Sequence, residues 1–533
     1  MGAPIAIRYR RSSGTRADGG VGRSAAMTVP LTTADFCHQA RALHHDRLGV
    51  VDEPGVAGAL GRLTYGEVMA RCDGMIRELD RLGIGPGERV AIVSPNAAKL
   101  LVALFATMGS GRVLVPINFR LTADEAQYIV DDCGAQLLLV DPGLDERFAA
   151  VTAPRRIVLD GEQDGALFAP DGGGAEWPRI EEDAIATINY TSGTTAAPKG
   201  VVLTHRSHWL NAVTGGWGFG LGPGDRYLHT LPIFHVNGWG LPLACAALGV
   251  PQVIQREVRG PEILRRVQSE SITLLCGAAP VAATIEQAAG ELRAAGQDVP
   301  GDGTARMVSG GAPTPAAVIE QFERATGWEM IHAYGLTETA PVLTVNRVLP
   351  SEGLDPAQRA QRLAAAGAPL VGVRLAIDED GQVLARSAKT MSGYWEKPDV
   401  SAQVLLDDGW FATGDGGELD DGGVLRITDR KKDVIVTGGE NVSSLQVEAV
   451  LYDHPDIADA AVIGVPHDRW GETVKALVVG RDGATLDETE IIAYCKERLA
   501  GFKCPTSVEV RDALPRTSTG KVQKYLLREP YWR

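Results

Sequence analysis

Thr191–Gly200 read TSGTTAAPKG, which sets four hydroxyl side chains, two glycines and one lysine within ten residues. Backbone N–H groups left open by Gly193 and Gly200, the hydroxyls of Thr191, Ser192, Thr194 and Thr195, and the Lys199 ammonium can together surround phosphate oxygens with donors. Ile185–Tyr190 before it alternates like a strand, and HRSHWLNAVTGG after Thr204 reads as a helix capped by that threonine. The loop is therefore expected to join a strand to a helix. It is not a Walker loop: Pro198 stands before Lys199 where that pattern needs glycine, and Gly200 follows where it needs a hydroxyl. The same composition also describes a Ser/Thr/Gly-rich surface linker, and the decapeptide alone does not separate the two.

Toward the N-terminus, from Leu63, helical and strand-like pieces alternate: YGEVMARCDGMIRELDRLG, RVAIVS, NAAKLLVALFATMGSG, VLVPIN, TADEAQYIVDDCG and QLLLVD. Such alternation indicates a parallel sheet with helices on its faces. Thr122 followed by Glu125 looks like a capping box. Asp145 to about Glu182, rich in Gly, Asp and Pro, is expected to be a loosely structured surface crossing. Residues 1–26 carry five arginines against a single acid, with no apolar core, so they read as a disordered tail rather than a secretory signal.

Toward the C-terminus come LPIFHVNGWG (Leu231–Gly240), LLCGAAP (Leu274–Pro280), MVSGGAP (Met307–Pro313) and IHAYGLTET (Ile331–Thr339). Each reads as an apolar strand ending in small or polar residues, where an open α/β sheet binds ligands. A partly antiparallel module is expected to close on RITDRKKD, and the last hundred residues mix helices and short strands as an independent α+β domain. The expected fold class is α/β: a large N-terminal domain of layered parallel sheets over 27–430, and a small mobile α+β domain over 433–533.

The chain has 533 residues, more than one hydrophobic core usually supports. Its 52 basic and 67 acidic residues give a net charge of −15, which argues against a nucleic-acid partner. Seven cysteines without a C-x-x-C pair are expected to be reduced thiols in a cytoplasmic protein. No apolar stretch approaches the ~18 residues that span a bilayer.

Tyr190–Gly200 resembles the phosphate loop of the adenylate-forming superfamily, and the order of the later motifs resembles an acyl-CoA synthetase from about Leu63 to Glu529. The resemblance implies substrates and cofactors: a carboxylic acid, ATP, Mg²⁺ and coenzyme A. It places Tyr334, beside Gly335, against adenine, with Ser309, Gly310, Gly311, Ala312 and Pro313 as the adenine-side turn. Asp415 takes the ribose hydroxyls, and Arg430 the ribose and phosphate. Glu338 is the implied metal ligand, Thr337 the α-phosphate partner, and Lys199 with the loop hydroxyls the holder of pyrophosphate. Lys521 corresponds to the catalytic lysine that enters from the small domain during adenylation. His235 and Trp239 match residues near the acyl entrance, where His235 meets the carboxylate or the thiol and the tryptophan gates. Gly238, Gly277, Ala278 and Ala279 are expected to leave a roomy pocket there, suited to a bulky hydrophobic acid. Lys432 falls at the hinge, with Gly438 and Gly439 lining the pantetheine passage.

Ala196, Gln382 and Gly416 depart from the family pattern without removing a reacting group. No carrier-protein module follows Arg533, so CoA is the expected acceptor, with a carrier protein or an amine as the alternative. A non-catalytic ligand-binding descendant would be expected to lack Lys521 or Glu338, and both are present. The sequence leaves a homodimer open.

Overall fold

The computed structural model describes residues 29–171, 174–191, 198–430, 433–437, 440–467, 470–517 and 520–532, apart from the side chains of Pro350 and Arg430. The alternation read after Leu63 folds as strand and helix in turn: β1 (Arg89–Val93), α1 (Ala98–Gly109), β2 (Val113–Ile117), α2 (Ala123–Cys133) and β3 (Leu137–Val140). The strands pair in parallel in the order β3, β1, β2. Every residue of α1 is buried, as a helix apolar all round requires; its leucines share one core with strands of both large sheets. The capping box forms at the start of α2, with Thr122 and Glu125 each accepting the other's backbone N–H.

β4 (Ile185–Thr191) lies parallel to β2, and β5 (Lys199–Thr204) runs back antiparallel along it. This corrects the expected strand-to-helix connection: the strand before the decapeptide is followed by a second strand, antiparallel to it, before any helix begins. Val201, Val202 and Leu203 are buried apolar residues that suit a pleated surface. The helix α3 (His205–Gly218) starts only at Thr204, whose side chain accepts the Ser207 N–H. The 145–182 crossing is also more ordered than expected. It buries Phe148, Val151, Leu159, Leu167, Phe168 and Ile180 and adds Arg156–Val158 beside β3, because a few well-spaced apolar residues anchor it.

The second sheet, of nine strands among the described residues, includes β6 (Tyr227–His229), β7 (Leu274–Gly277), β8 (Arg306–Gly310), β9 (Glu329–Gly335) and β10 (Val342–Asn346), with α4 (Ala279–Ala294) between β7 and β8. β6 to β9 are neighbours and parallel, while β10 is antiparallel outside β9. Register pairs Gly277 with Ser309 and Gly310 with Ala333, so the carboxyl ends of three strands lie side by side. LPIFHVNGWG is not a strand: β6 stops at His229, and Val236–Gly240 forms a short helical turn.

The short β11 (Gly393–Tyr394) pairs outside β5. β12 (Phe411–Leu419) and β13 (Leu425–Arg430) complete a four-stranded antiparallel sheet, the expected antiparallel module. Beyond Ile435, α5 (Ser444–Tyr452) packs with the long hairpin of β14 (Ile457–His467) and β15 (Gly471–Gly480). These elements enclose a separate core that includes Ile435, Val447, Leu451, Val462 and Val474. Among the described residues no helix is long and apolar enough to cross a membrane. All seven cysteines are free and buried.

Candidate active site

β9 delivers Tyr334 and Gly335 to the strand-end edge. The Tyr334 hydroxyl donates to Asp415 Oδ2 at 2.9 Å, joining this edge to β12. Asp415 is buried and stands opposite Arg430 in the β12–β13 register. Gly335 has a packing reason for lacking a side chain: a Cβ there would lie 1.8 Å from the Pro341 carbonyl oxygen. The tight turn Thr337–Thr339 follows, held by the Leu336 N–H donating to the Thr339 hydroxyl at 3.0 Å. It presents Glu338, whose Oε1 accepts the Tyr394 hydroxyl at 2.9 Å. Burial, and then the Glu338 charge, push the Tyr394 hydroxyl well above its ordinary range, so it stays a donor. Lys199 Nζ lies 5.3 Å from the centre of the Tyr394 ring. The implied pyrophosphate lysine and the implied metal carboxylate thus flank one tyrosine, which the sequence reading had not singled out.

On the neighbouring strands, the hydroxyls of Ser309 and Thr314 are 2.8 Å apart, and the Trp239 indole covers Gly310. A Cβ at Gly310 would come 2.7 Å from Trp239 Cη2 and 2.8 Å from the Ala333 carbonyl oxygen. Asn237, Gly238 and Trp239 have φ of 49°, 59° and 58°, the left-handed region that only glycine and, less readily, asparagine enter without cost. The Asn211 amide fixes this turn by donating to the Trp239 carbonyl at 3.0 Å. Asn237, also unforeseen, is 2% exposed, and neither atom of its amide has a partner among the described residues. Burial, and then the Lys521 charge, push the His235 imidazole down to about 3, so it is neutral.

The space beside Gly238 is filled by the Pro242 ring and that beside Gly277 by the Val281 side chain. The indole of Trp239 bounds the space over Gly310.

Lys521 belongs to a turn in which the Thr517 N–H donates to the Lys521 carbonyl at 2.7 Å and the Lys521 N–H to the Thr517 hydroxyl at 3.1 Å. This turn sits on the end of β7. A Cβ on Gly520 would lie 3.0 Å from the Pro280 ring and 3.3 Å from Ala278 Cβ. The C-terminal part is tied further by Asp429 Oδ2, which accepts both the N–H and the hydroxyl of Ser444 at 2.6 and 2.7 Å. Ser192, Gly193, Thr194, Thr195, Lys432, Gly438 and Gly439 lie outside the described residues, as does the side chain of Arg430. Gly311, Ala312 and Pro313 follow β8 at the same edge, partly or fully exposed. No group of three or more His, Cys, Asp or Glu among the described residues could cage a metal. A lone carboxylate such as Glu338 fits magnesium carried mainly by phosphate oxygens.

A family model described as AMP-binding enzyme matches residues 36–395, and one described as AMP-binding enzyme C-terminal domain matches 446–521. The chain belongs to the AMP-binding enzyme family. Probable acyl-activating enzyme 5, peroxisomal, of Arabidopsis thaliana is 35% identical over 547 residues, covering 95% of this chain and 96% of its own. A feruloyl-CoA synthase of Amycolatopsis is 36% identical over 474 residues, covering 87% and 92%. ATP-bound MatB from Rhodopseudomonas palustris shares the fold at a TM-score of 0.81 and 28% identity, over 94% of this chain and 99% of that one. This AMP-binding enzyme is an AMP-forming acid–CoA ligase that uses ATP and coenzyme A.

Proposed function

We propose that this ligase activates a hydrophobic carboxylic acid, bulky enough to displace Trp239, as its adenylate and then transfers the acyl group to the thiol of CoA. What supports the roles is one juxtaposition: Gly520 rests on Ala278 and Pro280, and the Lys521 ammonium lies close enough to His235 to depress its basicity. A lysine brought there from the C-terminal domain meets the charge that gathers on the phosphate as the carboxylate attacks the α-phosphorus. His235, kept neutral, offers an N–H to the acid without adding a second cation. Tyr334 stacks on adenine while its hydroxyl holds Asp415 in place for the ribose diol, and Thr337 binds the α-phosphate. Lys199 holds the departing pyrophosphate. A magnesium ion bound to the phosphates and Glu338 would neutralise their charge. For the second half-reaction the domain beyond Lys432 rotates, exchanging the Lys521 face for the Gly438–Gly439 passage.

Carboxylate-dependent pyrophosphate release from MgATP, across short, medium, aromatic and polycyclic acids, with and without CoA, tests this. Some acid is expected to drive release that Lys521→Ala loses by a factor of about a hundred to a thousand, with CoA converting the product to a thioester. Release without thioester would move the acceptor to a carrier protein or an amine. Folded protein that binds ATP yet releases nothing with any acid would overturn the adenylation roles.

A further inference from the structure

The carboxyl end of α2 sets Asp132 where three other segments meet. Tyr190, near the end of β4, donates its hydroxyl to Asp132 Oδ2 at 2.6 Å. Tyr128, one turn earlier in α2, places its hydroxyl 3.3 Å from Asp132 Oδ1 and 3.4 Å from the Pro198 carbonyl oxygen. Lys397 Nζ lies 3.2 Å from Oδ1, and the Trp395 indole donates to the Asp132 backbone carbonyl at 3.1 Å. The carboxylate is 18% exposed, and hydrogen bonds to an ionised acceptor in such surroundings are the strong ones.

Two of these partners grip the chain next to Lys199. A Cβ on Gly200 would lie 3.0 Å from Tyr190 Cζ and 3.2 Å from Trp395 Cβ, and the Trp395 N–H donates to the Gly200 carbonyl at 2.7 Å. Trp395 directly follows Tyr394, whose hydroxyl holds Glu338. The Asp132 carboxylate therefore connects β4, through Tyr190, with the segment that supports Glu338, through Lys397, and the Tyr128 hydroxyl beside it reaches Pro198.

We propose that Asp132 is a positioning residue for phosphate handling: through Tyr190 and Lys397 it ties β4 to the Tyr394–Lys397 segment and so fixes Lys199 relative to Glu338. Asp132 itself touches no substrate. The proposal rests on reading residues 191–199 as the phosphate loop.

The test separates the two half-reactions on the full-length enzyme. Asp132→Ala is expected to raise the KM for MgATP in pyrophosphate release about tenfold to a hundredfold, the cost of misplacing groups by roughly an ångström. CoA-dependent conversion of a synthetic acyl-adenylate should stay within about twofold of wild type, since that step needs no pyrophosphate grip. Asp132→Asn, which keeps an acceptor for Tyr190 but loses the charge facing Lys397, should fall between. If Asp132→Ala fails to accumulate as folded protein, Tyr190→Phe and Lys397→Met each remove one bond and should show the same split at smaller amplitude. An equal fall in both half-reactions would reduce Asp132 to a stability role and overturn the proposal. So would an unchanged KM for MgATP in variants alongside a Lys199→Ala control that raises it. If Lys199→Ala also leaves that KM unchanged, the phosphate-loop reading falls as well.

Discussion

Trp239→Ala and Trp239→Gly remove the same indole but leave different backbones, and the difference isolates the left-handed turn. Trp239 is 5% exposed, so either variant loses about 3–5 kcal/mol of burial and packing. Residue 239 sits at φ 58° and ψ 25°, where a Cβ costs about 1–2 kcal/mol and glycine nothing. Glycine's greater freedom in the unfolded chain offsets about 0.5–1 kcal/mol of that. The glycine variant should therefore be the more stable by up to about 1.5 kcal/mol, which raises its urea midpoint, followed by far-ultraviolet circular dichroism, by a few tenths molar. An alanine variant more stable than the glycine variant would refute the turn. The same pair probes the pocket: both should shift kcat/KM toward bulkier acids, and by the same amount, because both vacate the same space over Gly310. If both keep the wild-type preference for acid size, the indole does not bound the acyl passage.

Tyr334→Phe removes a hydrogen bond to an ionised, buried carboxylate; such bonds are worth about 1.5–3 kcal/mol. The KM for MgATP should rise about tenfold to a hundredfold, and a change under about twofold would show that Asp415 holds its place without the tyrosine. A second expectation concerns pH. Burial pushes the imidazoles of His205, His208 and His229 down to about 4, 3 and 4, while in the unfolded chain each takes a proton near the ordinary value of about 6.5. Below that value the unfolded state binds more protons than the folded one, so stability is fully present above about pH 6.5 and is lost as pH falls toward the folded values. Urea midpoints should drop between about pH 7 and pH 5, less steeply in His208→Gln. A midpoint independent of pH over that range would mean that these histidines are charged in the fold.

The groups that carry chemistry were legible because their motifs are short and local. Tyr334, Thr337 and Glu338 come from one strand and the turn after it, and the alternation of apolar helices and strands before Asp141 specified parallel sheet. Where the reading went wrong, the cause was also local. Thr191–Gly200 was read as a loop leading straight to the helix that Thr204 does cap, yet pairing with β4 made a strand of Lys199–Thr204 before that helix begins. Leu231–Gly240 looked like a strand by its apolar residues, but Asn237, Gly238 and Gly240 admit the left-handed turn that the packing of α3 fixes. The glycines at 238 and 277 were read as pocket lining, and the side of each where a Cβ would stand faces Pro242 and Val281.

By itself the sequence carried the resemblance that implies the reaction class, since a phosphate loop, an LTET glutamate, a TGD aspartate and a C-terminal TGK lysine follow one another in that order as short local motifs. Only the tertiary structure decided how those groups are held. Asp132 meets Trp395, 263 positions away, and Tyr334 meets Asp415, 81 positions away. Partners that far apart leave no periodicity or spacing in the chain, because what brings them together is sheet order and burial.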